Sequence, residues 1–103
     1  MTVYNKLVRD RIPEVIEASG KKCEVRVLDD QEYILRLNQK LQEELQEYLA
    51  DQSVEELADM VELIQAILEF KEVSLDQFEQ IRKEKHEVRG GFRKRLFLVN
   101  VSE

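Results

Sequence analysis

The sequence predicts an all-α protein, a small antiparallel helical bundle with short extended N-terminal and C-terminal segments. Three observations predict this class. Apolar residues recur at helical spacing through the middle of the chain, serine is twice followed three residues later by Glu or Gln, and only three Gly and one Pro interrupt the 103 residues. No repeat, low-complexity tract or linker divides the sequence, so we treat residues 1–103 as a single domain.

A short first helix is predicted in "VRDRIPEVIEASG". Pro13 fits the first turn of a helix, where its missing N–H removes no hydrogen bond, and Gly20 suits the position just past the end. The next segment, "KKCEVRVL", alternates weakly between polar and apolar residues. This alternation is compatible with a short strand or with an extended segment.

Two long helices follow, joined by "ADQS". The first is expected from about Asp30 to Ala50, where the apolar positions recur with the helical period. Those positions are Ile34, Leu37, Leu41, Leu45 and Tyr48. The second begins at Ser53, which forms a capping-box pattern with Glu56, and is expected to run to about Lys71.

The last helix begins at Ser74, because Gln77 repeats the capping signature. "RGG" ends it, and "FRKRLFLVNV" alternates and is rich in Phe, Leu and Val, which indicates a C-terminal strand or an extended arm. Two interpretations of Gly90 and Gly91 stay open. They allow a backbone to approach an anion closely, or they simply stop the helix.

The acidic residues of the third helix do not all lie on one side. With consecutive residues about 100° apart, Glu55, Glu62 and Glu69 share a narrow polar strip. Two apolar stripes cover most of the remaining circumference, as is typical of a buried helix. The first consists of Leu57, Val61, Ile64 and Leu68, and the second of Leu63, Ala66, Ile67 and Phe70. Glu56 and Asp59 fall on the second of these stripes, where a carboxylate loses its hydration unless something compensates it.

The preceding helix carries Glu44 at the edge of its apolar stripe and Glu47 one turn further on. A short turn predicts that the two helices pack antiparallel, which brings these two acids opposite Glu56 and Asp59. Four converging carboxylates repel one another, and a divalent cation with oxygen ligands removes that conflict. The alternatives without a functional role are that Glu56 only caps its helix, and that Glu44 and Glu47 are solvated surface acids.

Composition narrows the class of protein further. The net charge of −6 argues against general nucleic-acid binding, although both ends of the chain are basic and the acids concentrate in the middle. No apolar run is long enough for a membrane span, and no export signal is recognisable. Cys23 is the single cysteine, so no disulfide forms within the chain, and we expect a cytoplasmic protein.

Three sequence motifs resemble those of a known family. "EELQE" followed by "EELAD" resembles the paired acidic motifs of the MazG-like all-α nucleoside triphosphate pyrophosphohydrolases. "YNKLVRDRIPEVI" resembles the opening of one subgroup, regarded as predicted house-cleaning enzymes that are phosphoribosyl-ATP pyrophosphohydrolase-like. Lys85 with "RGGFRKR" resembles the C-terminal motif of that subgroup.

The resemblance implies a hydrolase that releases pyrophosphate from nucleoside triphosphates, especially non-standard ones, and leaves a nucleoside monophosphate. It implies a Mg²⁺ site made by four acids, Glu44, Glu47, Glu56 and Asp59. Glu43 is an additional acid that either supports these ligands from behind or assists the attacking water. The resemblance also implies basic residues that neutralise the phosphates, namely Lys6, Arg9, Lys85, Arg89 and Lys94. For Lys6 and Arg9, the alternative of solvated helix-start charge stays open.

The resemblance further implies a homodimer or homotetramer, and the two apolar faces of the third helix independently favour at least a dimer. Two other functions stay open. One is a non-catalytic helical oligomer that binds a nucleotide or a protein partner. The other is the related hydrolysis of phosphoribosyl-ATP, which the terminal motifs disfavour.

Overall fold

The computed structural model describes every residue from Met1 to Glu103 and contains four α-helices and no β-strand. The helices are α1 (Ile12–Ala18), α2 (Asp30–Asp51), α3 (Val54–Phe70) and α4 (Leu75–Arg89). The predicted all-α class is therefore confirmed. None of these helices combines the length and the apolar character that a membrane crossing requires.

Side-chain caps fix where the long helices begin. The Asp29 carboxylate accepts a 2.9 Å hydrogen bond from the Glu32 N–H at the start of α2. At the start of α4, the Ser74 hydroxyl accepts from the Gln77 N–H, and the Gln77 side chain accepts from the Ser74 N–H, at 3.1 and 2.9 Å. This reciprocal pair is the capping box that the sequence predicts. Pro13 lies in the first turn of α1, also as predicted.

The two segments for which strands were considered are irregular, and the strand alternatives are wrong. A strand needs a partner to take up its N–H and C=O groups, and neither segment has one. The segment before α2 is instead attached through Arg26, whose guanidinium donates two hydrogen bonds to Glu32 at 3.1 and 2.8 Å. Gly90 ends α4 with a φ of 78°, and its N–H donates to the His86 carbonyl, so it serves as a helix stop.

The core lies between α2 and α3, which are the two helices in extensive contact. Leu37 and Leu63 are 2% and 8% exposed, and the rings of Tyr33 and Phe70 meet edge to face with centroids 5.9 Å apart. Of the two apolar stripes predicted on α3, the one through Leu63 and Phe70 faces this core. The N-terminal part of the other stripe, which includes Val61, is exposed to solvent.

The chain is more extended than a self-contained domain of its length. Its Cα radius of gyration is 18.6 Å, against about 13 Å for a compact domain of 100 residues. The apolar side of α4 and the whole C-terminal segment project from the α2–α3 pair with their side chains exposed. The large apolar residues concerned are Leu75, Phe78, Ile81, Val88, Phe92, Leu96, Phe97, Leu98, Val99 and Val101.

Because so few side chains are buried, Leu37 carries an unusual share of the packing. We expect Leu37→Ala to lower the free energy of unfolding by about 2–5 kcal/mol, the range for removing a buried leucine. Urea unfolding at fixed protein concentration measures this. Asn38→Ala, at the exposed neighbouring position of α2, is the control and should stay within about 0.5 kcal/mol of wild type. Equal effects of the two substitutions would contradict this description of the core.

Candidate metal centre

Three carboxylates from two helices converge where α2 meets α3. Glu44 comes from the C-terminal half of α2, and Glu56 and Asp59 come from the first two turns of α3. One oxygen from each lies within 4.8 Å of the others, and all three residues are half-buried. Residues that the sequence analysis separated from the polar strip are thus brought together, while Glu55 and Glu62 are exposed.

The geometry at the start of α3 separates the two interpretations of Glu56. Its N–H donates a 3.3 Å hydrogen bond to the Ser53 hydroxyl, which is the first half of a capping box. The second half is absent, because the Ser53 N–H donates to the Asp51 carboxylate at 3.0 Å instead. The backbone of Glu56 therefore completes the cap, and its carboxylate is left for the cluster.

Two of the carboxylate oxygens lack a hydrogen-bond donor. One oxygen of Glu44 and one of Glu56 are inaccessible to solvent and accept no hydrogen bond from any N–H or hydroxyl of the protein. A buried oxygen without a donor is costly and is uncommon in folded proteins. A proton shared by the two carboxyl groups, or a cation between them, would satisfy both oxygens.

The titration of the pair follows from this crowding. The hydrogen bond that Glu56 can make to Glu44 when one of the two is protonated is the largest cause that raises the pKa of Glu56 from 4.5 to about 7, and burial and the charge of Glu47 add to it. Burial is the largest cause that raises the pKa of Glu44, and the nearby charge of Glu47 acts in the same direction. The cluster therefore holds a proton at pH values where isolated carboxyl groups do not.

The two other predicted acids lie at the edge of the cluster. Glu47 is exposed, but its carboxylate is close enough to Glu44 and Glu56 to act on both. Glu43 is not among the three residues whose oxygens converge. It lines a small cleft together with Lys6 and with Arg36 and Lys40 of α2.

Arg9 reaches the cluster from the N-terminal segment. Its guanidinium donates a hydrogen bond of 2.7 Å to Oδ1 of Asp59, fifty residues away in sequence. The other ion pairs join residues at most six positions apart. The Arg9–Asp59 pair is therefore the ion pair that connects α3 to a segment distant in the sequence. Of the predicted basic residues, Arg9 is the one in direct contact with a predicted acid.

The remaining predicted basic residues lie elsewhere. Lys85 and Arg89 are exposed on α4, and Lys94 is exposed in the C-terminal segment; none pairs with the cluster. Arg36 and Lys40, which line the cleft with Lys6 and Glu43, were not among the predicted basic residues. Their spacing in the sequence could have identified them, because both precede the acids of α2 by about whole turns of the same helix and so lie near the same side.

The donor set fits a hard divalent cation. The convergent groups are all carboxylates, which suit Mg²⁺, Ca²⁺ and Mn²⁺ and not the softer metals that prefer nitrogen and sulfur. The two donor-less buried oxygens are a second point of fit, because a cation would satisfy them. With three half-buried ligands on two helices, the arrangement leaves coordination positions for water or a phosphate oxygen.

Comparison with known proteins adds little to this geometry. No protein-family model matches the chain, and no solved structure matches it. A curated protein of Mycolicibacterium smegmatis, described as an uncharacterized protein, is 53% identical to the chain over 45 residues. That stretch covers 44% of this chain and 46% of the other protein, so the chain spans about half the length of the relative.

The raised pKa of Glu56 predicts how metal-free stability depends on pH. Between about 4.5 and about 7 the folded state binds more protons than the unfolded state, so stability falls as the pH rises through this window. Urea unfolding in the presence of a chelator, followed by far-UV circular dichroism, should show this decline.

Glu56→Gln should flatten the same part of the pH profile, because glutamine has no proton to lose. Glu55→Gln, at the exposed position next to it, should leave the decline intact. A profile for Glu56→Gln that is parallel to wild type between those pH values would show that Glu56 does not hold the extra proton.

Proposed function

We propose that the protein is a Mg²⁺-dependent nucleoside triphosphate pyrophosphohydrolase of the MazG-like all-α type, acting in the cytoplasm. The observation that carries the proposal is the convergence of Glu44, Glu56 and Asp59 within 4.8 Å, from the two motifs that resemble the family pattern. The pair of buried oxygens without a hydrogen-bond donor supports it further. The substrate class is a nucleotide with a triphosphate chain, especially a non-standard one.

In this proposal Glu44, Glu56 and Asp59 hold the metal, and Glu47 adds a fourth carboxylate at its edge. The bound ion supplies charge stabilisation at the phosphoryl oxygens and a more acidic water. Glu56 must lose its proton before it becomes a ligand, and the raised pKa places that loss near neutrality. Glu43 is the acid nearest the basic cleft, where it assists in orienting the attacking water.

The phosphate chain is proposed to lie beside α2. Lys40 is one turn from Glu44, and Arg36 is one turn further back, so the basic cleft with Lys6 begins about 6 Å along the helix from the acids. Phosphate groups that extend from the metal in this direction would meet Lys6 and Arg9. Lys85, Arg89 and Lys94 do not pair with the cluster of their own chain, and we propose that they act in the site of a second subunit.

The helices α2 and α3 are proposed to run antiparallel, as the family type requires. Contacts at two levels support this arrangement. Tyr33 near the start of α2 meets Phe70 at the end of α3, whereas Glu44 toward the end of α2 meets Glu56 at the start of α3.

The exposed surface supports a homodimer or homotetramer. The chain exposes 10008 Å², about 3,900 Å² more than a compact monomer of 12.2 kDa. An obligate interface buries about 1,000–2,500 Å² on each partner, so a dimer with one large interface would cover more than half of the excess, and a tetramer with two interfaces per chain could cover all of it. The exposed face of α3 and the apolar C-terminal segment are the surfaces that need covering.

The catalytic proposal predicts which substitutions abolish activity. With Mg²⁺ and a panel of standard and modified nucleoside triphosphates, wild type should release pyrophosphate and a monophosphate. Glu44→Gln and Asp59→Asn should each lower kcat/KM by at least about 100-fold, because each removes a ligand and its charge. Glu55→Gln, on the exposed strip, is the matched control and should retain activity near that of wild type.

Three outcomes would redirect the proposal. Undiminished turnover by Asp59→Asn would exclude the acids assigned here. Tight nucleotide binding by wild type in Mg²⁺, without any product, would support the alternative of a non-catalytic binding protein. Turnover restricted to phosphoribosyl-ATP would support the third alternative.

The assembly has its own test. Size-exclusion chromatography with light scattering at micromolar concentration should give two or four times the chain mass of 12.2 kDa. Val61→Asp places a charge on the exposed apolar face of α3 and should lower that mass toward the monomer. Glu62→Gln, on the polar strip beside it, should leave the mass unchanged. A wild-type monomer under these conditions would contradict the assembly.

A further inference from the structure

The contact between Arg9 and Asp59 links the N-terminal motif to the acid cluster. We infer that Arg9 is a built-in counter-cation that competes with the divalent metal for Asp59, so that metal loading releases its guanidinium to a substrate phosphate. The inference rests on the proposed function and adds an exchange of partners to it.

The competition follows from where the guanidinium sits. It donates to Oδ1 of Asp59 at 2.7 Å, and Asp59 is one of three residues whose oxygens lie within 4.8 Å of one another. A dication among these oxygens would stand a few ångströms from the positive guanidinium and repel it. The ion pair is worth little by itself, since the two side chains are 56% and 41% exposed. A bound dication would therefore displace it.

The local structure allows Arg9 to leave without moving the chain. Its carbonyl accepts a 3.0 Å hydrogen bond from the Ile12 N–H, which fixes the backbone just before α1. The side chain makes its one protein hydrogen bond to Asp59, so its remaining N–H donors are available. A planar guanidinium with free donors is suited to bidentate binding of a phosphate.

The destination of the released side chain is set by the same N-terminal segment. Lys6, three residues before Arg9, lines the cleft with Arg36 and Lys40. A phosphate chain that extends from the metal toward this cleft would pass within the reach of Arg9. The exchange would thus leave Asp59 to the metal and give Arg9 an anion in its place.

The test measures binding of Mn²⁺ alone, which takes the same oxygen ligands as Mg²⁺ and can be followed through the electron paramagnetic resonance of the free ion. At low ionic strength, Arg9→Gln should bind Mn²⁺ about two- to fivefold more tightly than wild type, as expected from the loss of an exposed ion pair. Arg11→Gln, two residues away and without an ion pair to the cluster, is the matched control and should bind like wild type.

A second variant, Arg9→Lys, tests the same inference if Arg9→Gln folds poorly. Arg9→Lys keeps the positive charge but loses the planar fork, so its Mn²⁺ affinity should lie between those of wild type and Arg9→Gln. Unchanged or weaker Mn²⁺ binding by Arg9→Gln would overturn the exchange, because Arg9 would then be neutral toward the metal or help to position Asp59. If wild type binds Mn²⁺ and Asp59→Asn does not, the proposed metal site is still supported even when the Arg9 exchange is overturned. Absence of Mn²⁺ binding in every variant would overturn both.

Discussion

The repulsion among carboxylates at the junction of α2 and α3 is the constraint on which the rest of the molecule depends. The same junction is the main packing contact of the chain, so the helices cannot separate to relieve it. Leu37, Leu63 and the Tyr33–Phe70 ring pair hold the helices together by apolar contact, and Glu44 and Glu56 are brought close as a result. The apolar core thus enforces an arrangement that electrostatics alone would disfavour, as is common at functional sites.

Two positive charges reduce this repulsion in the metal-free protein, a bound proton and an arginine side chain. A proton on the Glu44–Glu56 pair removes one negative charge near neutral pH, and the Arg9 guanidinium neutralises Asp59 from outside. Together they supply two positive charges, which is the charge of one divalent ion. A metal that enters while the proton leaves and the arginine withdraws would change the net charge of the site little. In the metal-free protein, the proton and the arginine lower the cost of keeping these carboxylates close together in the fold.

Sequence features that act over a few residues correctly predicted the parts of the structure that depend on neighbouring residues. The positions of the helices follow from caps such as Ser74 with Gln77 and from the helical period of apolar residues, and both act over a few residues. The side of α3 that carries Glu56 and Asp59 followed from the same period. The Arg9–Asp59 contact spans fifty residues and has no local signal. The strand alternatives failed for the same reason, because a strand depends on a distant partner that alternation alone does not supply.

The proposed assembly would connect the small core to the acid cluster. A chain in which Leu37 and Leu63 are the only buried side chains gains little from its own packing, so contact between copies would contribute much of the stability. The exposed stripe with Val61 belongs to the same helix that carries Glu56 and Asp59. A partner packed on that stripe would therefore hold α3, and with it two of the three convergent carboxylates, in a fixed position. The C-terminal segment carries basic residues among its exposed apolar side chains, so one contact between subunits could bury those side chains and also bring positive charge to the neighbouring acids. In such an oligomer, folding, metal binding and phosphate binding would depend on the same interface.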